Sequence, residues 1–325
     1  MTVPMTTDTM ETSALFTAAV TLEPAEAEHF DLAFTAVTQD CPWPKAYGGD
    51  LVAAASAAAM RSVTDGKTLH SMHSYFLRPA DIGAAVRYEV EVLRDGRGYS
   101  TRQVRGYQNG KPVYACLASF AAGETGGGTF ESSQAETPLA RAGDIPGPDD
   151  LPTSAAYLDA QAGTAAAAQS SMTERSRAYW SGGRSFDMRH VPGPVYLTVE
   201  GERVPHQAVW VKPYDALRPV PGLTDEQRDT AALAYVCDYT ILEPVLRVLG
   251  LPWAKPGLVT ASLDHAMWFH RPASVTGTGG GAGWLLYAQE AVAADAGRGV
   301  GAGKFFTRDH RHLATVVQEG IFRSA

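Results

Sequence analysis

Cysteine is scarce and basic residues are outnumbered in this chain of 325 residues. The three cysteines, Cys41, Cys116 and Cys237, lie far apart and give neither a metal-ligand spacing nor a disulfide framework. A reducing compartment, the cytoplasm, is therefore expected. Lys and Arg number 27 against 35 Asp and Glu, a formal net charge of −8. That balance argues against nucleic acid as a partner, because phosphate backbones are met by basic surface. It still leaves room for a phosphorylated ligand held by a few local arginines. The first basic residue is Lys45, so the opening segment lacks the cationic region of a secretory or transit signal. Long apolar runs are missing too. The most apolar, residues 51–60, is mostly Ala and too short to span a bilayer. With 45% hydrophobic and 19% charged residues, the composition is that of a soluble globular protein, and the length suits two domains.

What is present is one module written twice. LHSMHSYFLRP at 69–79 returns as LDHAMWFHRP at 263–272; both end in Arg-Pro, at Arg78 and Arg271, an offset of 193. DGRG at 95–98 returns as DAGRG at 295–299, an offset of 200. The seven extra residues fit the Gly-rich stretch 275–283, which reads as a loop insertion.

The elements read likewise. The first 30 residues have little periodicity and are expected to include a flexible tail. Gly48-Gly49 opens an Ala-rich run to Val63, the best helix of the first half, since Ala is cheap in a helix and lets a sheet come close. Strands are expected at 69–77, 86–93, 99–107 and 113–120, with Asn109-Gly110 as a hairpin signal. Residues 123–163, rich in Gly, Ser, Thr, Pro, Ala and acid, read as a linker with one short helix. In the second half, 186–191 and 208–212 read as strands. Thr224 and Gln227 have capping-box spacing for a helix through 231–237, and Pro244 prevents its unbroken extension to Gly250. Strands at 258–269, 284–294, 299–307 and 312–322 follow. The fold class is α+β, two tandem halves each with a helix laid on an antiparallel sheet.

Several segments, in order from about Tyr47 to Arg323, resemble the acyl-CoA thioesterase II family: LHSMHSYFLRPAD, LRDGRGYSTRQVRGYQNGKPVYACLASF, FDMRHV, LAYVCDY, ASLDHAMWFHRP, WLLYAQE and TVVQEG. The resemblance implies a double hotdog, two helix-wrapped-by-sheet domains forming one continuous sheet. Here they would be 1–122 and 166–325, joined by the linker 123–165, with the catalytic residues in the second. It also implies hydrolysis of fatty acyl-CoA to fatty acid and CoA with no metal or cofactor, by a homo-oligomer. In that family an Asp, a Thr and a Gln hold and activate a water. The Asp falls on Asp238, the Thr on Ser262 and the Gln on Gln318. The family's Gly-Gly-Gln element stands here as Gly48-Gly49-Asp50, which leaves that loop without an assigned contribution.

The chemistry suits such a set. Water is a poor nucleophile, and a carboxylate that accepts its proton is the usual metal-free remedy. A hydroxyl and an amide can orient that water, while backbone N–H groups are the natural donors for the oxyanion.

Other motifs have plainer readings. Asp264 and His265, adjacent on a strand, point to opposite faces and cannot form a dyad. His265, His70 and His73 read as structural, and Cys237 as a small buried thiol without a partner histidine. Gly303-Lys304 lacks the spacing of a phosphate loop. A hotdog enoyl-CoA hydratase would need an Asp-His or Glu-His pair, for which no good spacing is found. An acyl-CoA-binding protein without hydrolase activity is disfavoured by retention of Asp238, Ser262 and Gln318.

Overall fold

A computed structural model describes residues 13–123, 129–272, 275 and 283–324. Its strands are β1 (Glu23–Ala25), β2 (Leu32–Val37), β3 (Thr68–Phe76), β4 (Ala85–Asp95), β5 (Tyr99–Gln108), β6 (Lys111–Ala121), β7 (Phe186–Val191), β8 (His206–Pro213), β9 (Leu258–Ser262), β10 (Asp264–Phe269), β11 (Leu285–Asp295), β12 (Arg298–Phe306) and β13 (His312–Ser324). All belong to one sheet, ordered β1-β2-β4-β5-β6-β3-β10-β13-β12-β11-β8-β7, with β9 also on β13. The order is palindromic. β3 and β10 meet antiparallel at its centre, Met72 opposite Met267, so each half covers an edge the other would expose.

The sequence repeat survives in the register. His73 pairs with Leu117 in the first half and Ala266 with Val317 in the second, at the same offsets of 193 and 200. Each copy also carries an extra residue at the same place. The β3–β6 register slips between Leu69 and Ser71. In the second half the slip falls at Leu263, so the expected strand 258–269 is divided into β9 and β10, both paired with β13. Such a bulge re-aims the side chains beside it.

The helices are α1 (Ala14–Val20), α2 (Gly48–Arg61), α3 (Pro138–Ala142), α4 (Ser154–Ala160), α5 (Ala165–Gln169), α6 (Glu174–Ala178), α7 (Asp225–Val236) and α8 (Glu243–Leu249). Every residue of α2 from Gly49 to Met60 is buried, because it is clasped between β3–β6 and α7. Only a run of small side chains permits contact on both sides. α7 starts at the capping box, where Gln227 N–H donates to Thr224 Oγ1 at 3.2 Å. It ends at a tight turn, Cys237–Tyr239, and the chain restarts as α8 with Pro244 in the first turn, where a missing N–H costs no hydrogen bond. α8 lies on β11 and β12 as α2 lies on β4 and β5.

Two expectations need correction. The opening segment is more than a tail: Phe16 of α1 is fully buried, edge-on to Phe186 and Tyr235, and β1 and β2 add two strands that were not foreseen. Residues 1–12 lie outside the described residues. The linker holds two short helices, α3 and α4, where one was expected. It also lies on the second half's outer face, with Leu139, Ile145 and Leu151 against a cluster that includes Trp210, Trp284 and Phe306. Of the Gly-rich stretch 275–283, residues 276–282 are outside the described residues. No described helix is long and apolar enough to cross a membrane.

Candidate active site

Asp238 sits in the turn between α7 and α8, Ser262 ends β9 at the bulge, and Gln318 points inward from β13. The fold brings these three together from 80 residues of sequence. Gln318 Nε2 donates to Asp238 Oδ1 at 2.7 Å and to Ser262 Oγ at 2.8 Å. Ser262 Oγ donates to Asp238 Oδ1 at 3.2 Å. Oδ1 is thus doubly held. Gln318 is fully buried and its Oε1 has no protein partner, an acceptor available to a small polar molecule.

A buried polar network fixes the turn that carries Asp238. Gln289 Nε2 donates to Thr240 Oγ1 at 2.7 Å, and Gln207 Nε2 donates to Gln289 Oε1 at 2.8 Å and to Glu243 Oε2 at 2.9 Å. Trp253 Nε1 donates to Glu243 Oε1 at 3.0 Å, and Tyr287 OH to the Cys237 carbonyl at 3.3 Å. A Glu-His pair does exist here, contrary to the sequence reading: His190 Nε2 lies 3.1 Å from Glu243 Oε2. Spacing could not reveal it because strand β7 and helix α8 supply one residue each. Both residues are buried and both Glu243 oxygens are occupied, which leaves no face for a substrate. Burial pushes the Glu243 carboxyl up, but the neighbouring His190 and the hydrogen bonds from Gln207 and Trp253 bring it below the ordinary range.

The first half enters the site through the N-terminus of α2. The Gly49 N–H acts on the Asp238 carboxylate without closing a bond of normal geometry. A Cβ on Gly48 would fall 2.6 Å from Asp238 Oδ2 and 3.0 Å from the Phe76 ring. Only glycine lets the helix end come this close, and its N–H groups and dipole favour an anion there. The Gly-Gly pair was legible as a helix start, but nothing in the sequence said what it would face. Asp238 keeps some accessible surface, yet its carboxyl is enclosed. Burial raises its pKa above the ordinary value, opposed by the hydrogen bonds from Gln318 and Ser262 and by the nearby Gly49 N–H.

Cys237 has a partner histidine after all. Its Sγ lies 3.2 Å from His265 Nε2. β10 places His265 on the inner face, under the turn, which no local spacing disclosed. Burial, then the neighbouring Asp238, holds the thiol well above its usual pKa. Burial, then His73, takes His265 down to about 4. The pair is neutral and no nucleophilic thiolate forms. Asp264 turns the other way, its Oδ1 accepting the Glu319 N–H at 2.9 Å. His70 contacts Ser119 Oγ at 2.8 Å, and His73 packs edge-on against Trp268.

A carboxylate held by a hydroxyl and an amide, beside a helix N-terminus, can take a proton from water and support a developing anion. Comparison with known proteins narrows the chemistry. Residues 183–321 match the family model described as acyl-CoA thioesterase, and residues 39–121 match the acyl-CoA thioesterase N-terminal domain. The chain is 30% identical over 296 residues to acyl-CoA thioesterase 2 of Haemophilus influenzae, covering 90% of this chain and 93% of that protein. Among solved structures, an acyl-CoA thioesterase II, TesB2, from Mycobacterium marinum superposes with a TM-score of 0.69 at 28% identity, covering 95% and 98% of the two chains. A hot dog fold protein from Alicyclobacillus acidocaldarius superposes with a TM-score of 0.68 at 17% identity over 95% and 98%, a likeness of fold alone. The architecture is the double hotdog.

Proposed function

Because this chain belongs to the acyl-CoA thioesterase family, we propose that it hydrolyses fatty acyl-CoA to free fatty acid and CoA, with Asp238 as general base. The observation that carries this reading is the closed triangle of Asp238, Ser262 and Gln318 at the N-terminus of α2. We divide the chain as 1–122, 123–165 and 166–325, a division that the family matches at 39–121 and 183–321 support.

The residues allocate the roles. Asp238 Oδ1 is occupied by Ser262 and Gln318, so Oδ2, on the Gly48 side, is the oxygen left to receive a proton. A water that donates one hydrogen to Oδ2 and the other to the unpartnered Gln318 Oε1 has its lone pair free for the thioester carbon. Attack forms a C–O bond and puts the proton on Asp238. The negative oxygen of the intermediate is stabilised by N–H donors at the start of α2. Collapse breaks the C–S bond, and Asp238 returns the proton to the leaving thiolate. Ser262, with no β-branch, has a freer first torsion than a threonine would, so it holds Asp238 less rigidly.

Asp238→Asn keeps the shape and is a far weaker base. Turnover, followed as free thiol released from a series of acyl-CoAs, should fall by roughly two to four orders of magnitude. Turnover within about threefold of wild type would remove Asp238 from the mechanism.

A further inference from the structure

We propose that Asp50 is a positioning acid of this site, held protonated at the end of α2 so that Asp238 is the only anion there, and that hydrolysis fails when Asp50 ionises. The proposal rests on the hydrolytic reading above.

Asp50 is the third residue of α2, two beyond Gly48, and is 2% exposed. Its Oδ2 accepts the Gln39 N–H at 2.7 Å. Its Oδ1 is buried and has no hydrogen-bond partner; the Tyr235 hydroxyl acts on the carboxyl without closing a bond of normal geometry. A carboxylate in that setting would have one oxygen desolvated with no donor at normal hydrogen-bond geometry, which disfavours the charged form. A carboxylic acid has no such problem. With Oδ2 engaged as an acceptor, the proton belongs on Oδ1.

The described residues around it supply no counter-charge. The groups that face Asp50 are Cys41 from the loop after β2, Tyr88 from β4, Tyr179 from the turn after α6, Tyr235 from α7, and Tyr239 and Asp238 from the turn before α8. Burial keeps the four tyrosines above their usual range and the Cys41 thiol up at about 11. All are neutral at physiological pH, and among the described residues no Lys, Arg or His acts on Asp50. The one charge near it is the like charge of Asp238. Burial first, and then Asp238, raise Asp50 to about 7 against the pull of the Gln39 N–H and the Tyr235 hydroxyl. Two carboxyls that share one enclosure do not both ionise cheaply. The neutral acid therefore preserves the proton affinity and seating of Asp238, and its ionisation changes both.

The sign follows from the raised value. In the folded chain Asp50 binds its proton up to about 7, while unfolded it releases it near the ordinary value of about 3.9. Between those values the folded state holds more protons, so stability falls as pH rises and then levels off. Asp50→Asn keeps a donor and cannot ionise.

The test compares wild type and Asp50→Asn in turnover from pH 5 to 10 and in Tm over the same range. Wild-type turnover should fall about tenfold per pH unit above about 7, while the ratio of turnover at pH 9 to that at pH 6 rises at least tenfold in the variant. The Tm of the variant relative to wild type should increase from pH 5 to 7 and stay constant beyond. Parallel pH–rate profiles with a flat Tm difference would overturn the proposal. If the variant does not fold, carbon-13 carboxyl signals of wild type decide: one aspartate must titrate near 7, and its absence would also overturn it. A wild type that releases no thiol from any acyl-CoA would sink the hydrolytic reading, while the Tm comparison would still report on the protonation of Asp50.

Discussion

At the residue scale, the three proposed catalytic side chains are a coupled unit. Gln318 Nε2 bonds both Asp238 and Ser262, so removing either neighbour loosens what the other holds. Ser262→Ala and Gln318→Ala should each lower turnover, with the double variant losing less than the product of the two effects. Kinetics of the four proteins read this directly, and independent multiplication would contradict a shared water. Ser262→Thr should keep or raise turnover, because the added methyl restricts the first torsion while the hydroxyl remains. A folded but inactive Ser262→Thr protein would show that the β9 end cannot host the group this mechanism requires. Asp238 carries a second consequence. Its pKa is raised chiefly by burial, so ionisation costs stability that is present at low pH and lost as pH rises through the folded value. Asp238→Asn should accordingly melt above wild type at pH 8 while losing activity, and a lower Tm at that pH would contradict the sign.

At the scale of elements, the close approach of α2 to the turn before α8 depends on glycine. Gly48→Ala places a methyl 2.6 Å from Asp238 Oδ2, so the carboxylate or the helix must move. Turnover should drop by at least about tenfold, since misplacement of about 1 Å can cost two orders of magnitude, with a smaller change in Tm. Unchanged turnover would mean that this helix end is not part of the working site. The sequence disclosed most elements because their patterns are local. β5 and most of β6 alternate, Asn109-Gly110 turns with positive φ at both residues, and Thr224 caps α7. β1 and β2 were missed for a physical reason: three residues that include Pro24, and a β2 burial pattern without strict alternation. Yet their counterparts β7 and β8 were legible. In a duplicated fold the second copy's outer hairpin could have supplied the first. Contacts between elements were harder. Cys237 with His265 and His190 with Glu243 each join a strand to a helix or turn distant in sequence, and no spacing rule encodes them.

For the whole molecule, the division of labour between the halves is uneven. At an offset of 200 Gln318 stands opposite Ala118, and at 193 Ser262 opposite Leu69 and Asp238 opposite Lys45. The first half thus holds no second copy of the proposed acid-base set. It contributes support instead: the Gly49 N–H near Asp238, the Tyr47 hydroxyl donating to the Tyr235 carbonyl at 2.6 Å, and β3, which pairs with β10 along the joint. A fragment beginning at Ala165 would keep Asp238, Ser262 and Gln318 and lose all three of these supports. It would also expose the β10 edge and the face of α7 that α2 covers, a combination that invites aggregation. Such a fragment should aggregate or misfold and release no thiol from acyl-CoA, which light scattering and the thiol assay can establish on one sample. A soluble, monomeric fragment with near-full activity would mean that the second half folds and works alone, and that the joint is only a tether.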